Sequence, residues 1–137
     1  METIYGIGVD IVNIARIAQA IQRWGEKFLQ RTFTPQEMAY CASKTFPNQH
    51  YAVRFAAKEA VFKALGTGWN YGVGWLDIEV SVEVTAGQPV VMLSGKALAI
   101  LGDSASFRVL ISLSHDKEYA IAQAVIVKMV HADGDHV

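Results

Sequence analysis

Tyr51-Ala52-Val53-Arg54-Phe55-Ala56-Ala57-Lys58-Glu59-Ala60-Val61-Phe62-Lys63-Ala64-Leu65-Gly66 reads as a helix that is apolar nearly all the way round, closed by a glycine suited to a left-handed cap. Such a helix runs through a core or between subunits, so the rest of the chain must wrap around it. Glu59 and Lys63 are conspicuous there. An exposed i,i+4 pair returns only about 0.2–0.5 kcal/mol, whereas burying either charge without a partner, solvent or ligand costs several times as much. Arg54 and Lys58, also four apart, add a second positive group.

Upstream, Ile4 to Val9 reads as a strand with Tyr5, Ile7 and Val9 on one face and Gly6 and Gly8 on the other, where Asp10 follows. Two side-chain-free positions beside a carboxylate let a backbone, a metal or a ligand come close. The same glycines also serve simply to relieve crowding. Asp10 and Glu59 are the best carboxylate pair for a hard cation, since Mg²⁺ sites combine one or two carboxylates with water and phosphate oxygens. The spacing itself does not bring them together, and a Glu59–Lys63 ion pair is the simpler account.

From Asn13 to about Gln30, Ile14, Ile17, Ala18, Ile21, Trp24, Phe28 and Leu29 gather on one side of a predicted helix, with Asn13 or Asp10 as its cap. Arg16, Arg23, Lys27 and Arg31 fall on the opposite side, at about 0°, 340°, 20° and 60° around the wheel. This basic stripe is either a solvated helix face or a docking surface for an acidic protein. Thr34-Pro35-Gln36-Glu37 predicts a capping box opening a short helix through Ser43, and Phe46 to His50 is read as an interruption before Tyr51.

Downstream, glycines 66, 68, 72 and 74 mark a loop, Leu76 to Val84 alternates as a half-buried strand, and Ala86-Gly87-Gln88-Pro89 turns into a strand at Val90 to Leu93. A small helix is expected over Gly95 to Leu101. Phe107 to Leu113 and Tyr119 to Lys128 form an antiparallel hairpin across the polar turn Ser114 to Glu118. His115 in that turn either binds phosphate or faces water.

The 137 residues carry a formal charge of −1, with +3 on residues 1–66 and −4 on the remainder. That argues against a general nucleic-acid binder, while the basic half can steer an acidic partner. At 52% apolar and 18% charged the chain is too apolar for disorder. It has surface to hide, in a tight monomer or between subunits. One domain over residues 1–129 with a frayed tail at 130–137 is expected. No run reaches the roughly 18 apolar residues of a membrane span, and Met1-Glu2-Thr3 lacks the basic start of a secretion signal, so a cytoplasmic protein is expected. Cys41 stands alone and reads as a packing or surface residue. Gly6-Ile7-Gly8 lacks the third glycine of a dinucleotide fingerprint and a Walker lysine, and Ser112 and Ser114 lack a nucleophile elbow.

Gly6-Ile7-Gly8-Val9-Asp10-Ile11 with Arg16-Ile17, then Arg54-Phe55-Ala56-Ala57-Lys58-Glu59-Ala60 with Lys63-Ala64 and Gly66-Thr67-Gly68, resembles the holo-acyl-carrier-protein synthases, the small single-domain 4'-phosphopantetheinyl transferases. Trp75 to Val80, Gly87-Gln88-Pro89 and Ser112-Leu113-Ser114-His115 extend the similarity. Phe55 stands where the larger, pseudo-dimeric transferases carry tryptophan.

The resemblance implies an α+β fold with an antiparallel sheet packed against helices, assembled as a homotrimer. It implies transfer of phosphopantetheine from coenzyme A to a serine of an apo acyl carrier protein with Mg²⁺ present. By position, Asp10 and Glu59 would hold the metal and Lys63 the leaving phosphate, with Glu59, directly or through water, taking the serine proton. Arg54, Lys58, Lys63, Gly87, Pro89 and His115 would contact coenzyme A, and Arg16, Arg23 and Lys27 would dock the carrier. Asn13 departs from an acidic residue usual in the family. Two other readings stay open: a non-catalytic adaptor for an acidic protein, and another magnesium enzyme acting on a nucleotide diphosphate.

Overall fold

The computed structural model describes residues 1–66, 72–82 and 87–129. The expected tail at 130–137, Thr67 and Gly68 of the glycine loop, and the end of the predicted strand at Glu83 and Val84 lie outside these residues. The elements in order are β1 (Glu2–Asn13), α1 (Ile14–Trp24), α2 (Glu26–Thr32), α3 (Pro35–Ala42), α4 (Pro47–Leu65), β2 (Ile78–Val82), β3 (Pro89–Leu93), α5 (Gly95–Leu101), β4 (Phe107–His115) and β5 (Tyr119–Met129). A 3₁₀ turn at Trp75–Asp77 precedes β2 and another at Ser104–Ser106 precedes β4.

Among the described residues the strands form two antiparallel sheets, one ordered β1-β5-β4 and the other β2-β3. This is the α+β arrangement expected from the sequence. The β4–β5 hairpin closes on Asp116, whose carboxylate accepts from the Glu118 and Tyr119 amides, each at 2.7 Å. These backbone donors hold its pKa below the ordinary aspartate value.

The central helix lies across the sheet because both partners offer small residues. On β5, Ala120, Ala122 and Ala124 face inward and are buried. On β1, a Cβ at Gly6 would collide with the Ala64 carbonyl, and one at Gly8 with the Ala60 carbonyl and, at 2.9 Å, the Lys63 Cβ. The β1 glycines thus admit the backbone of α4. Ala56, Ala60, Val61, Ala64 and Leu65 then join Ile78, Val80 and Ile126 in the main core. A second cluster joins Ile14, Ile17 and Phe28 to Phe33, Cys41, Tyr51 and Val53, with the Phe33 and Tyr51 rings 4.9 Å apart. Burial lifts the Cys41 thiol to about 11, against the pull of Arg54, so it packs as an inert residue.

Local signals account for most boundaries. Asn13 Oδ1 accepts from the Arg16 amide at 3.2 Å and caps α1. Thr34 and Glu37 complete their capping box, and Gly66 closes α4 at φ 79°. Two expectations need correction. The helix from Asn13 to Gln30 is two helices, because Gly25 at φ 56° ends α1 and opens α2. Pro47 starts α4 rather than interrupting it, since a first helical position needs no amide hydrogen. Among the described residues no helix is long and apolar enough to cross a membrane.

Candidate active site

The close contact of β1 with α4 sets the site. Gly6, Gly8 and Asp10 share one face of β1, so seating the glycines on Ala60 and Ala64 delivers Asp10 to the neighbouring turn of α4. There Asp10, Glu59 and Lys63 line one cavity of about 490 Å³. Asn13 and Arg16 edge it, and Ile17, Phe28 and Phe55 supply apolar wall. The two carboxylates, 49 positions apart in sequence, come together as the strand–helix reading requires.

The expected Glu59–Lys63 pair is not the one formed. Lys63 Nζ lies 3.1 Å from Asp10 Oδ1 and donates to the Val9 carbonyl at 2.9 Å. Glu59 is raised above the ordinary glutamate pKa, first by burial and then by the Asp10 charge, with Lys63 opposing. The cavity lining sets two carboxylates, Asp10 and Glu59, against two cations, Lys63 and Arg16, and the carboxylates offer oxygen donors. That is the chemistry a hard divalent cation satisfies. Among the described residues no group of three or more His, Cys, Asp and Glu side chains gathers as a metal cage, so an ion here would complete its shell with water or ligand oxygens.

Arg54 and Glu59 are five positions apart on α4, about 140° around its axis, and face different cavities. Arg54 lines a second one of about 610 Å³ with Gly87, Pro89 and His115. Four of the residues expected at coenzyme A thus share this space. Arg54 is 3% exposed, its guanidinium rests 4.1 Å over the Tyr40 ring, and its Nε has no hydrogen-bond partner.

Lys58, expected at the coenzyme A phosphates, sits elsewhere. It is wholly buried, 2.7 Å from Glu37 Oε1, and donates to the Trp75 and Ile78 carbonyls at 2.9 and 2.6 Å. Glu37 in turn accepts from the Thr34 and Val80 amides, both at 2.8 Å. Burial pulls the Lys58 pKa down and Glu37 opposes it; three acceptors around three ammonium hydrogens hold it charged. Every donor is spent inside the fold, so Lys58 knits α3, α4 and β2 together.

Arg16, Arg23 and Lys27 are exposed, the first two on α1 and the third beyond the Gly25 break on α2. Trp24, assigned to the apolar side, is instead 55% exposed with the Arg23 guanidinium 4.9 Å over its ring. The residue-by-residue reading missed Tyr40, Lys44 and His50 beside the second cavity. The signal was present for His50, which stands four residues before Arg54 on one helix face once α4 starts at Pro47.

A family model described as the 4'-phosphopantetheinyl transferase superfamily matches residues 6–124. The chain is 47% identical over 123 residues to a holo-[acyl-carrier-protein] synthase of Geobacter sulfurreducens, covering 90% of this chain and 97% of that one. Its fold matches the crystal structure of the corresponding synthase from Neisseria meningitidis with a TM-score of 0.81 at 33% identity, over 90% of this chain and 98% of that one. It also matches the Helicobacter pylori synthase in complex with coenzyme A, with a TM-score of 0.75 at 36% identity, over 88% and 98% of the two chains. Similarity of this extent, over a fold that gathers the motif residues as described, makes the chain a member of the 4'-phosphopantetheinyl transferase superfamily.

Proposed function

We propose that the chain transfers the 4'-phosphopantetheine group of coenzyme A to a serine hydroxyl of an apo acyl carrier protein, giving the holo carrier and adenosine 3',5'-bisphosphate. Relatives named for this activity match along nearly their whole length, and the convergence of Asp10, Glu59 and Lys63 in one cavity carries the chemical reading.

In this reaction the serine oxygen bonds to the phosphorus bearing the pantetheine arm, and the bridging oxygen leaves with the phosphoadenosine half. Lys63 is the cation that neutralises diphosphate oxygens as charge builds on the leaving group. Glu59, with its raised proton affinity, receives the serine proton, directly or through a water. Asp10 and Glu59 are the residues to hold Mg²⁺, consistent with their carboxylate oxygens sharing one cavity. When bound, the ion neutralises diphosphate oxygens and makes phosphoadenosine a better leaving group.

The nucleotide phosphates are assigned to the second cavity, through Arg54, His115 and the turn at Gly87 and Pro89. Because the two cavities open on different sides of α4, each is read as half of a site completed by a neighbouring copy. The outer sheet face supports that assembly: Ile7, Val9 and Ile11 are 56%, 52% and 62% exposed, and Ile121, paired with Ile11, is 42% exposed. A contiguous apolar face of this kind is covered in assembled proteins, and a homotrimer of this one domain, residues 1–129, covers it. Arg16, Arg23 and Lys27 present the carrier-docking surface. A cytoplasmic site of action goes with this reading.

The direct test incubates purified apo carrier with coenzyme A, Mg²⁺ and the protein, and follows intact carrier mass together with release of adenosine 3',5'-bisphosphate. Equal amounts of modified carrier and bisphosphate are expected. Absence of a mass gain across a panel of apo carriers, with coenzyme A still bound, would refute the activity.

A further inference from the structure

At the second cavity, next to Arg54 and His115, are two basic side chains that the assigned contacts do not use, His50 and Lys44. His50 sits in the first turn of the 19-residue α4 and lines the cavity with Arg54 and His115. Its ring packs edge-on against Tyr40, centroids 5.9 Å apart, and the Lys44 ammonium and Arg54 guanidinium lie over that same Tyr40 ring at 4.5 and 4.1 Å. No side chain caps the helix start, where Phe46 is the N-cap residue. No Asp or Glu is among the residues lining the cavity. The buried Arg54 Nε has no partner of its own. Lys44 after α3, His50 and Arg54 on α4 and His115 on β4 thus gather at one concave space, with Asp116 beside His115 the nearby carboxylate among the described residues.

We infer that His50 is an additional anion-binding residue of this cavity, which becomes imidazolium as it closes on a phosphate of the nucleotide, so that ligand binding takes up a proton. This rests on the assignment of the nucleotide to the second cavity. Without an anion, protonating His50 would add a charge to an already cationic cluster. Burial, then Arg54, Lys44 and His115, hold it below the ordinary histidine pKa. A phosphate reverses the balance by giving the imidazolium an acceptor. Neutral at rest and charged when occupied, His50 ties the affinity for phosphate to pH through the physiological range.

The experiment titrates adenosine 3',5'-bisphosphate calorimetrically into the assembled wild-type protein, His50→Gln, His115→Gln and Lys44→Gln. Two buffers of different ionisation enthalpy report proton uptake at each pH. Comparing wild type with His50→Gln cancels the titration of the ligand's own phosphates. The wild type is expected to take up more protons on binding than His50→Gln, and its affinity advantage over that variant should grow about three- to tenfold from roughly pH 8 to pH 5.5. His115→Gln should keep that uptake. An affinity ratio that stays constant with pH, or equal uptake by wild type and His50→Gln, overturns the role of His50. If Lys44→Gln and His115→Gln both bind as tightly as wild type at each pH, the nucleotide does not occupy this cavity and its assignment falls first.

Discussion

Lys63 Nζ rests 3.1 Å from Asp10 Oδ1, so in the ligand-free protein an ammonium occupies the carboxylate oxygen that a divalent cation needs. With the Lys63 side chain 52% exposed, this pair contributes at most about 1 kcal/mol, and a ligand can displace it. A diphosphate arriving with its ion would draw Lys63 off Asp10 and free the oxygen. Lys63→Met is therefore expected to bind Mn²⁺ about tenfold more tightly than wild type without coenzyme A, while losing most transfer activity. Calorimetric titration with Mn²⁺ checks this, and equal or weaker binding would show that Lys63 does not hold the metal position.

The strand–helix contact makes the second prediction. Gly8→Ala places a methyl group against the Ala60 carbonyl and the Lys63 Cβ, neither of which can yield without moving α4 off β1. A loss of about 1–3 kcal/mol or more in urea denaturation is expected, with a fall in turnover because Asp10 and Glu59 part. Gly74→Ala meets nothing within 4 Å and should be close to wild type in both assays. Wild-type stability and turnover for Gly8→Ala would contradict the positional argument.

Glu59 carries a pH dependence whose sign follows from its raised pKa. A carboxyl whose folded pKa exceeds its unfolded value contributes stability below the unfolded pKa and loses it as pH rises through the folded one. Ionised Glu59 beside Asp10 is thus a cost at neutral pH that a divalent ion relieves. Mg²⁺ should raise the melting temperature more at about pH 8 than at about pH 5, and Glu59→Gln should melt at or above wild type without that response. A full Mg²⁺ shift in Glu59→Gln would remove Glu59 from the metal site.

Lys58 and Glu37 test a structural role against a binding one. Lys58→Met leaves the Glu37 carboxylate buried and unpaired and should cost about 3–5 kcal/mol in chemical denaturation. Adding Glu37→Gln should recover most of it. The double variant should keep the wild-type KM for coenzyme A; a KM raised tenfold or more would return Lys58 to the cofactor site.

Arg23 and Lys27 are exposed and line neither cavity, whereas Arg16 edges the first. Arg23→Ala with Lys27→Ala should raise the KM for the carrier about tenfold, an effect that grows as ionic strength falls, and leave coenzyme A affinity unchanged. Equal losses for both substrates, measured in separate titrations, would contradict a docking face.

Local rules carried much of this molecule. The Gly6, Gly8 and Asp10 face, the Thr34–Glu37 box, the Asn13 cap and the β4–β5 hairpin all follow from spacing and residue chemistry. What spacing could not supply was partnership across the chain. Helical geometry places Lys58 about 100° from Glu59, yet nothing local reveals that Glu37 waits there in a dry interior. Gly25 sits within a run of helical periodicity, and only its positive φ turns one basic stripe into parts of two helices. Treating Pro47 as a breaker hid the first turn of α4, and with it His50.

The central claim, that Asp10 and Glu59 share one ion at the diphosphate, is tested most directly by a crystal structure of the assembled protein with coenzyme A and Mg²⁺. The account predicts one ion bonded to both carboxylates and to diphosphate oxygens at about 2.1 Å. An ion held by coenzyme A alone, or by one carboxylate with the other turned away, would contradict it.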